Sequence, residues 1–313
     1  MEMSALQRPP KRPVHGILLL DKPAGISSNA ALQRVRRALA AAKGGHTGNL
    51  DVAASGLLPL CFGEATKVSA FLLDADKTYV AELALGVTTS TGDREGEVRA
   101  TRPVPALAAD EIVRALAGFL GPQSQVPPMH SALKRAGRPL YAYARAGLEV
   151  ERAPRAILIH ALRLLDFAPP RLVIEVSCSK GTYVRTLAED IGERLGCGAH
   201  LAGLRRTRAG PFALEDAHPL ALFERDGPAE RFDALLLPPD RALADRAPLI
   251  LDAASCRAVC QGRRLPAPGG AQAGLYRLYG PDEDFLGIGE ITVDGSLEPR
   301  RLMRIAAAAS DSV

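Results

Sequence analysis

The chain reads as an α+β protein that ends in a small all-β domain. Three observations predict this. Short apolar or alternating runs of strand length recur along the chain. Amphipathic stretches with helix-start signals lie between them. From about Pro248 onward only strand-like segments remain. With 313 residues, 47% hydrophobic and 24% charged, the composition is that of an ordinary globular protein with room for two domains.

Residues 1–13 carry prolines and basic groups without apolar periodicity, and read as a disordered basic arm. Residues 14–20 form a continuous apolar run, a buried strand. Ser27 and Ser28 then offer caps for a helix with Leu32, Val35 and Leu39 on one face and Arg34, Arg36 and Arg37 on the other. Residues 57–60 are apolar, and residues 64–73 have helical spacing. Residues 78–85 alternate as a strand, and the polar stretch 88–97 turns at Gly92 and Gly96. Residues 110–119 read as a helix capped by Asp110. The stretch 123–155 breaks the pattern, and its segment SALKRAGRPLYAYARAG suits either an RNA-facing surface or a partly helical hairpin. Residues 157–167 and 171–178 read as strands. Residues 186–195 read as an amphipathic helix ended by Gly196. Alanine and proline enrich residues 211–248. Strands follow at 274–279, 285–293 and 299–305, with an Asp294-Gly295 turn. The expected organisation is an arm (1–13), a main body (14–247, with the insertion 123–155) and a C-terminal domain (248–313).

Residues 43–67, KGGHTGNLDVAASGLLPLCFGEATK, are where chemistry is most readily placed. Gly44, Gly45, Gly48, Gly56 and Gly63 let the backbone turn and let a ligand approach. Asp51 is the carboxylate among them. With a reference pKa of about 3.9 it is ionised at neutral pH, fit for a nucleophile or base. The same residue type also caps turns.

Several classes are disfavoured. The five cysteines are scattered without a CxxC pair, and Cys197 with His200 is half of a zinc set at most. No Walker loop, convincing dinucleotide fingerprint or metal-ligand spacing is present, so the expectation is no cofactor and no metal. No run of about 18 apolar residues occurs, and the first residues lack a signal-peptide core, so a cytoplasmic protein without membrane partners is expected. Net charge is only +4, but lysines and arginines cluster within residues 8–43, at Arg205, Arg206 and Arg208, and at Arg300, Arg301 and Arg304. Such clusters suit a phosphate backbone.

The motifs KPAGISS (22–28), GHTGNLD (45–51), GEATK (63–67), DKTYV (76–80), CSKGTYVRTLAEDIGERLGCGAH (178–200) and LRR (204–206) resemble, in this order, the bacterial tRNA pseudouridine-55 synthase family, TruB. The family usually follows its aspartate with Pro-Leu-Ala-Thr-Gly. Here Val52, Ala53, Ala54, Ser55 and Gly56 stand instead, without the proline's φ restraint. The resemblance implies a catalytic domain with a central mixed, mainly antiparallel sheet flanked by helices, and a PUA-like RNA-binding domain. It implies Asp51, Tyr79 and Arg185 as catalytic residues, Tyr79 stacking on a flipped base. His46, Tyr183 and Leu204 would bind substrate, and Lys22 and Pro23 would support the catalytic loop. A buried aspartate needs a cation, which predicts an Asp51–Arg185 ion pair, with Tyr183 on the same face of a strand. The implied partner is the T-arm of tRNA; no heptads or long unsatisfied edge are visible, so a monomer without an obligate protein partner is expected. An RNA chaperone and a guide-RNA-dependent synthase are the competing readings.

Overall fold

The computed structural model describes residues 10–131 and 133–304. A ten-stranded sheet runs in the order β14-β1-β3-β12-β4-β11-β10-β7, with β2 on β3 and β13 on β12. Its strands are β1 (Gly16–Lys22), β2 (Gly44–His46), β3 (Ser55–Phe62), β4 (Lys77–Leu85), β7 (Gly121–Gln125), β10 (Arg155–Ala168), β11 (Arg171–Cys178), β12 (Ala199–Ala209), β13 (Phe212–Ala213) and β14 (His218–Pro219). Two small hairpins stand outside it: β5 (Val87–Thr89) with β6 (Val98–Thr101), and β8 (Lys134–Arg135) with β9 (Arg138–Pro139). The helices are α1 (Ser28–Ala38), α2 (Ser69–Asp74), α3 (Ala109–Ala117), α4 (Leu140–Ala144) and α5 (Val184–Arg194), with α6 (Ala253–Cys260) in the C-terminal domain. The mixed, mainly antiparallel sheet expected from sequence is present, and only β1–β14 and β3–β12 run parallel within it.

The two halves of the sheet are buried differently, which explains two kinds of strand sequence. Leu18 and Leu20 of β1 enter one core with Leu32, Val35 and Leu39, while Ile17 and Leu19 enter another with Val68 and Leu72. A strand buried on both faces is apolar throughout. In β4 one face supplies Ala81, Leu83 and Leu85 to a third core with Ile112, Leu116, Leu187 and Ile191, and the other face is half-exposed, so β4 alternates. Helix α1 starts at Ser27, whose hydroxyl accepts from the Ala30 N–H. Helix α3 departs from expectation. Its N-cap is Ala108 and Asp110 lies in the first turn, where Glu111 reaches back to accept from the Ala108 N–H. A carboxylate in that turn favours the helix dipole without being the cap. Residues 64–73 split into a 3-10 turn and α2, and Lys77 closes α2 by donating to the carbonyls of Leu72, Leu73 and Ala75. Burial, with Arg206 adding to it, pushes the Lys77 ammonium down to about 8.

The expected N-terminal arm lies outside the described residues up to position 9. Arg12 is tied down, pairing with Glu230 and Asp233 and bridging to Ala41. Other basic residues counted as phosphate ligands are also spent internally: Lys22 and Arg206 are buried, Arg34 pairs with Glu224, and Arg205 with Asp21. The acidic partners are distant in sequence, near position 230 for Arg12 and Arg34 and at Asp21 for Arg205, and for the two buried cations they are replaced by carbonyls.

The C-terminal domain holds a five-stranded sheet, β15-β17-β18-β19-β16, formed by β15 (Pro248–Ile250), β16 (Leu265–Pro266), β17 (Gly274–Tyr279), β18 (Phe285–Ile291) and β19 (Ser296–Leu302). The two-turn helix α6 was not anticipated. Asp252 caps it by accepting from the Ser255 N–H. The domain docks through Ile288, in the core beside α2, and through Tyr279 donating to Asp240 at 2.8 Å. Lys67 and Glu64 bind the backbone of Leu302 and Arg304.

Two predictions follow from this frame. Gly56 has φ +101°, and a Cβ there would stand 2.3 Å from the Arg206 carbonyl oxygen. Gly56→Ala is therefore expected to cost at least ~2–3 kcal/mol in urea unfolding, and an unchanged midpoint would refute the close approach. Lys77 binds fewer protons folded than unfolded between about 8 and its ordinary 10.5. In that window the unfolding free energy of the wild type should rise with pH relative to Lys77→Met, and the difference should be flat below it.

Candidate active site

Asp51 sits in the loop between β2 and β3. Its flanks are fixed: Leu50 exchanges two hydrogen bonds with the buried Ser28 hydroxyl, Thr47 bonds the Pro59 carbonyl, and the Ala54 N–H donates to the Asp51 carbonyl. The Gly25 N–H donates to the Val52 carbonyl at 2.8 Å. The turn that contains Gly25 is itself held by Lys22, a fully buried ammonium that donates to the carbonyls of Pro23 and Ile26. Burial pushes Lys22 down to about 8, against the field of Asp51. Pro23 is exposed. The loop thus gains from backbone bonds the restraint that a proline after Asp51 would have given.

The Asp51 carboxylate is 47% exposed, and Arg185 Nε lies 3.3 Å from its Oδ2. The ion pair expected from sequence is present, although the carboxylate is less buried than a desolvated nucleophile implies. Arg185 itself is buried and has other partners: Asp93 Oδ2 at 3.1 Å from Nη1, the Thr91 carbonyl at 3.4 Å and the His130 carbonyl at 2.7 Å from Nη2. Asp93 in turn accepts from the Thr91 hydroxyl and the Glu95 N–H. One guanidinium therefore joins the Asp51 loop, the 88–97 hairpin and the 123–155 insertion. A planar fork of five N–H donors is the side chain that suits such a junction.

Arg185 lies in the first turn of α5, and Tyr183 is that helix's N-cap, so the two do not share a strand face. The strand ends at Cys178, and after the turn at Gly181 the chain enters the helix at once. Gln125 clasps the Tyr183 backbone, accepting from its N–H and donating to its carbonyl. Tyr79 and Leu204 are half-buried on the neighbouring strands β4 and β12, and both pack where two of the cores meet. Burial holds the Tyr79 phenol above its ordinary pKa and Asp51 acts in the same direction, while Arg206 opposes them. His46, in β2, has a buried Nδ1 without a hydrogen-bond partner, and burial together with Arg206 holds its pKa down, so the ring is neutral at pH 7. Cys197 is a core residue and His200 Nδ1 bonds the Val87 carbonyl, so neither is poised as a ligand.

Sequence reasoning missed Asp93, hidden in a polar hairpin, and miscounted Arg206 as a surface cation. A signal existed for the second, since Arg206 stands two residues from Leu204 on one strand and so shares its inward face.

Comparison with known proteins covers nearly the whole chain. Residues 36–184 match the model described as TruB family pseudouridylate synthase (N-terminal domain), residues 185–244 the tRNA pseudouridylate synthase B C-terminal domain, and residues 247–303 the C-terminal model of pseudouridine synthase II TruB. The chain is 55% identical to tRNA pseudouridine synthase B of Thiobacillus denitrificans over 96% of its own length and 100% of the relative's. It is 54% identical to that of Aromatoleum aromaticum over 100% of both chains. Among solved structures, one chain of a Cbf5-Nop10-Gar1 complex superposes with a TM-score of 0.71 at 25% identity, covering 92% of this chain and 84% of that one. With the fold, the motif order and these full-length matches in agreement, this chain belongs to the TruB family of pseudouridylate synthases and is an isomerase.

Proposed function

We propose that this protein converts the T-loop uridine of tRNA to pseudouridine as a stand-alone, monomeric enzyme of the bacterial cytoplasm. The observation that carries the reading is the Asp51 carboxylate, part-exposed at the mouth of a loop braced from both sides and gripped by a buried arginine. The full-length relatives named tRNA pseudouridine synthase B support tRNA as substrate and favour a stand-alone enzyme over a guide-dependent one. Residues 14–247 form the catalytic body in this reading. Residues from 248 onward form an RNA-binding module, and the insertion 123–155, joined to Arg185 through His130, contacts the T-arm.

The reaction breaks the N1–C1′ bond, turns the uracil and forms a C5–C1′ bond. A proton leaves C5 and one is taken up at N1, so no atom is gained. A stacked base is out of reach, and flipping it costs a few kcal/mol. His46 and the loop around it fill the space that is left. Tyr79 stacks on the flipped ring, and its phenol relays the C5 proton by passing its own hydroxyl proton on as it accepts. Leu204 and Tyr183 line the pocket. Asp51 either attacks C1′ or C6 or abstracts a proton toward a glycal-like intermediate, with Arg185 fixing its orientation throughout. Water is kept from that intermediate, which would otherwise lose its base.

On a T-arm stem-loop carrying 5-tritiated uridine, Asp51→Asn is expected to abolish tritium release while RNA binding stays within about twofold. Joint loss of folding and binding would instead assign Asp51 to capping the turn. Asp93→Asn should lower the single-turnover rate about 10–100-fold at unchanged RNA affinity, because Arg185 loses the partner that aims it. Wild-type turnover in that variant would count against the junction.

A further inference from the structure

Arg206 is 1% exposed and is the largest fully buried side chain among the described residues. Among the described residues no carboxylate lies within ion-pair distance of it. Its Nε donates to the Leu57 carbonyl at 2.7 Å and its Nη2 to the Gly48 carbonyl at 3.2 Å. Those two carbonyls stand on either side of Asp51 in the sequence. Its backbone is paired with Gly56 of β3 on one side and Tyr79 of β4 on the other. Gly48, at φ +133°, passes close over it, with Nη1 3.5 Å from where a Cβ would be.

A buried cation without a counter-ion costs several kcal/mol, and two carbonyl bonds repay that only in part. A merely structural role is met more cheaply by an apolar side chain at this seam. The charge is felt throughout the site, since it depresses the proton affinities of Lys22 and His46 and counters the rise at Tyr79. What the position offers that an apolar residue does not is a grip on both arms of the Asp51 loop and a fixed positive charge beneath it.

We propose that Arg206 is a positioning residue for pseudouridine formation: by holding the Gly48 and Leu57 carbonyls it sets the geometry of Asp51, and its unpaired charge stabilises negative charge in the pocket as the uracil departs. This rests on Asp51 being the reacting carboxylate. The role is separate from that of Arg185, which holds the Asp51 carboxylate itself, and from that of Lys22, which acts through the 22–26 turn.

The test compares Arg206→Met and Arg206→Lys, each checked for folding by circular dichroism and thermal melting, with Asp51→Asn run alongside. Single-turnover tritium release and binding of the same T-arm RNA are measured separately. Lysine is the informative conservative change, because Lys77 already shows an ammonium serving three carbonyls in this protein. The expected result is a folded methionine variant with turnover reduced about 100-fold and RNA affinity within about threefold of wild type, and a lysine variant recovering about tenfold of the loss. Wild-type turnover in folded Arg206→Met overturns the proposal, as does parallel loss of turnover and binding, or a lysine variant no better than methionine. Failure of both variants to fold overturns it too, since Arg206 then serves stability alone. If Asp51→Asn still releases tritium, it is the reading of Asp51 that fails.

Discussion

The close parallel crossing of β3 and β12 is the constraint on which the rest of the structure depends. At that seam Ser55 and Gly56 pair with Arg205 and Arg206, and only a residue without a Cβ fits against the Arg206 backbone. On one side the sheet is buried on both faces, and on the other it is covered on one. The seam joins these two unlike halves. Tyr79 and Leu204 stand where their cores meet, and the Asp51 loop leaves β3 at the same level. A site at the meeting of two packed bodies draws its walls from both, so neither half contains it alone.

The electrostatics follow from the same placement. Two fully buried cations, Lys22 and Arg206, bond to backbone carbonyls instead of carboxylates, and each carbonyl belongs to or abuts the Asp51 loop. Of the two carboxylates that Arg185 holds, Asp51 is the more open to solvent, at 47% against 12% for Asp93. Arg185 is shared between Asp51 and Asp93, so its charge is balanced while its orientation is fixed by four separate groups. Desolvation of Asp51 in the free enzyme is incomplete.

Much of this was legible in the sequence, for physical reasons. Continuous against alternating apolar runs reported two-sided against one-sided burial, and the strands at 157–167, 171–178 and 274–279 stand nearly where the pattern put them. Glycine density marked the loop that carries Asp51. The less legible parts depend on distant pairing. Tyr183 is a helix cap instead of a strand residue because the chain leaves β11 at Cys178 and, after the turn at Gly181, enters α5 directly. Basic residues that looked free within the first fifty positions meet acids near position 230 or bury themselves against carbonyls, and no local window contains those partners. Asp93 was hidden because a polar hairpin offers many carboxylates, of which only tertiary structure selects one.

The Asp51 loop also has a consequence in time. Asp51 leaves the ribosome early, while Arg185 and Arg206, the side chains that hold its carboxylate and its flanks, are added much later. At the usual rates of synthesis of ~5–20 residues per second, that interval is roughly seven to thirty seconds. During it the N-terminal half of the sheet has Asp51 but not the two arginines that hold it. The loop is braced on both arms only once β12 pairs beside β3, so a truncated product ending before that strand carries Asp51 without the carbonyl grip of Arg206.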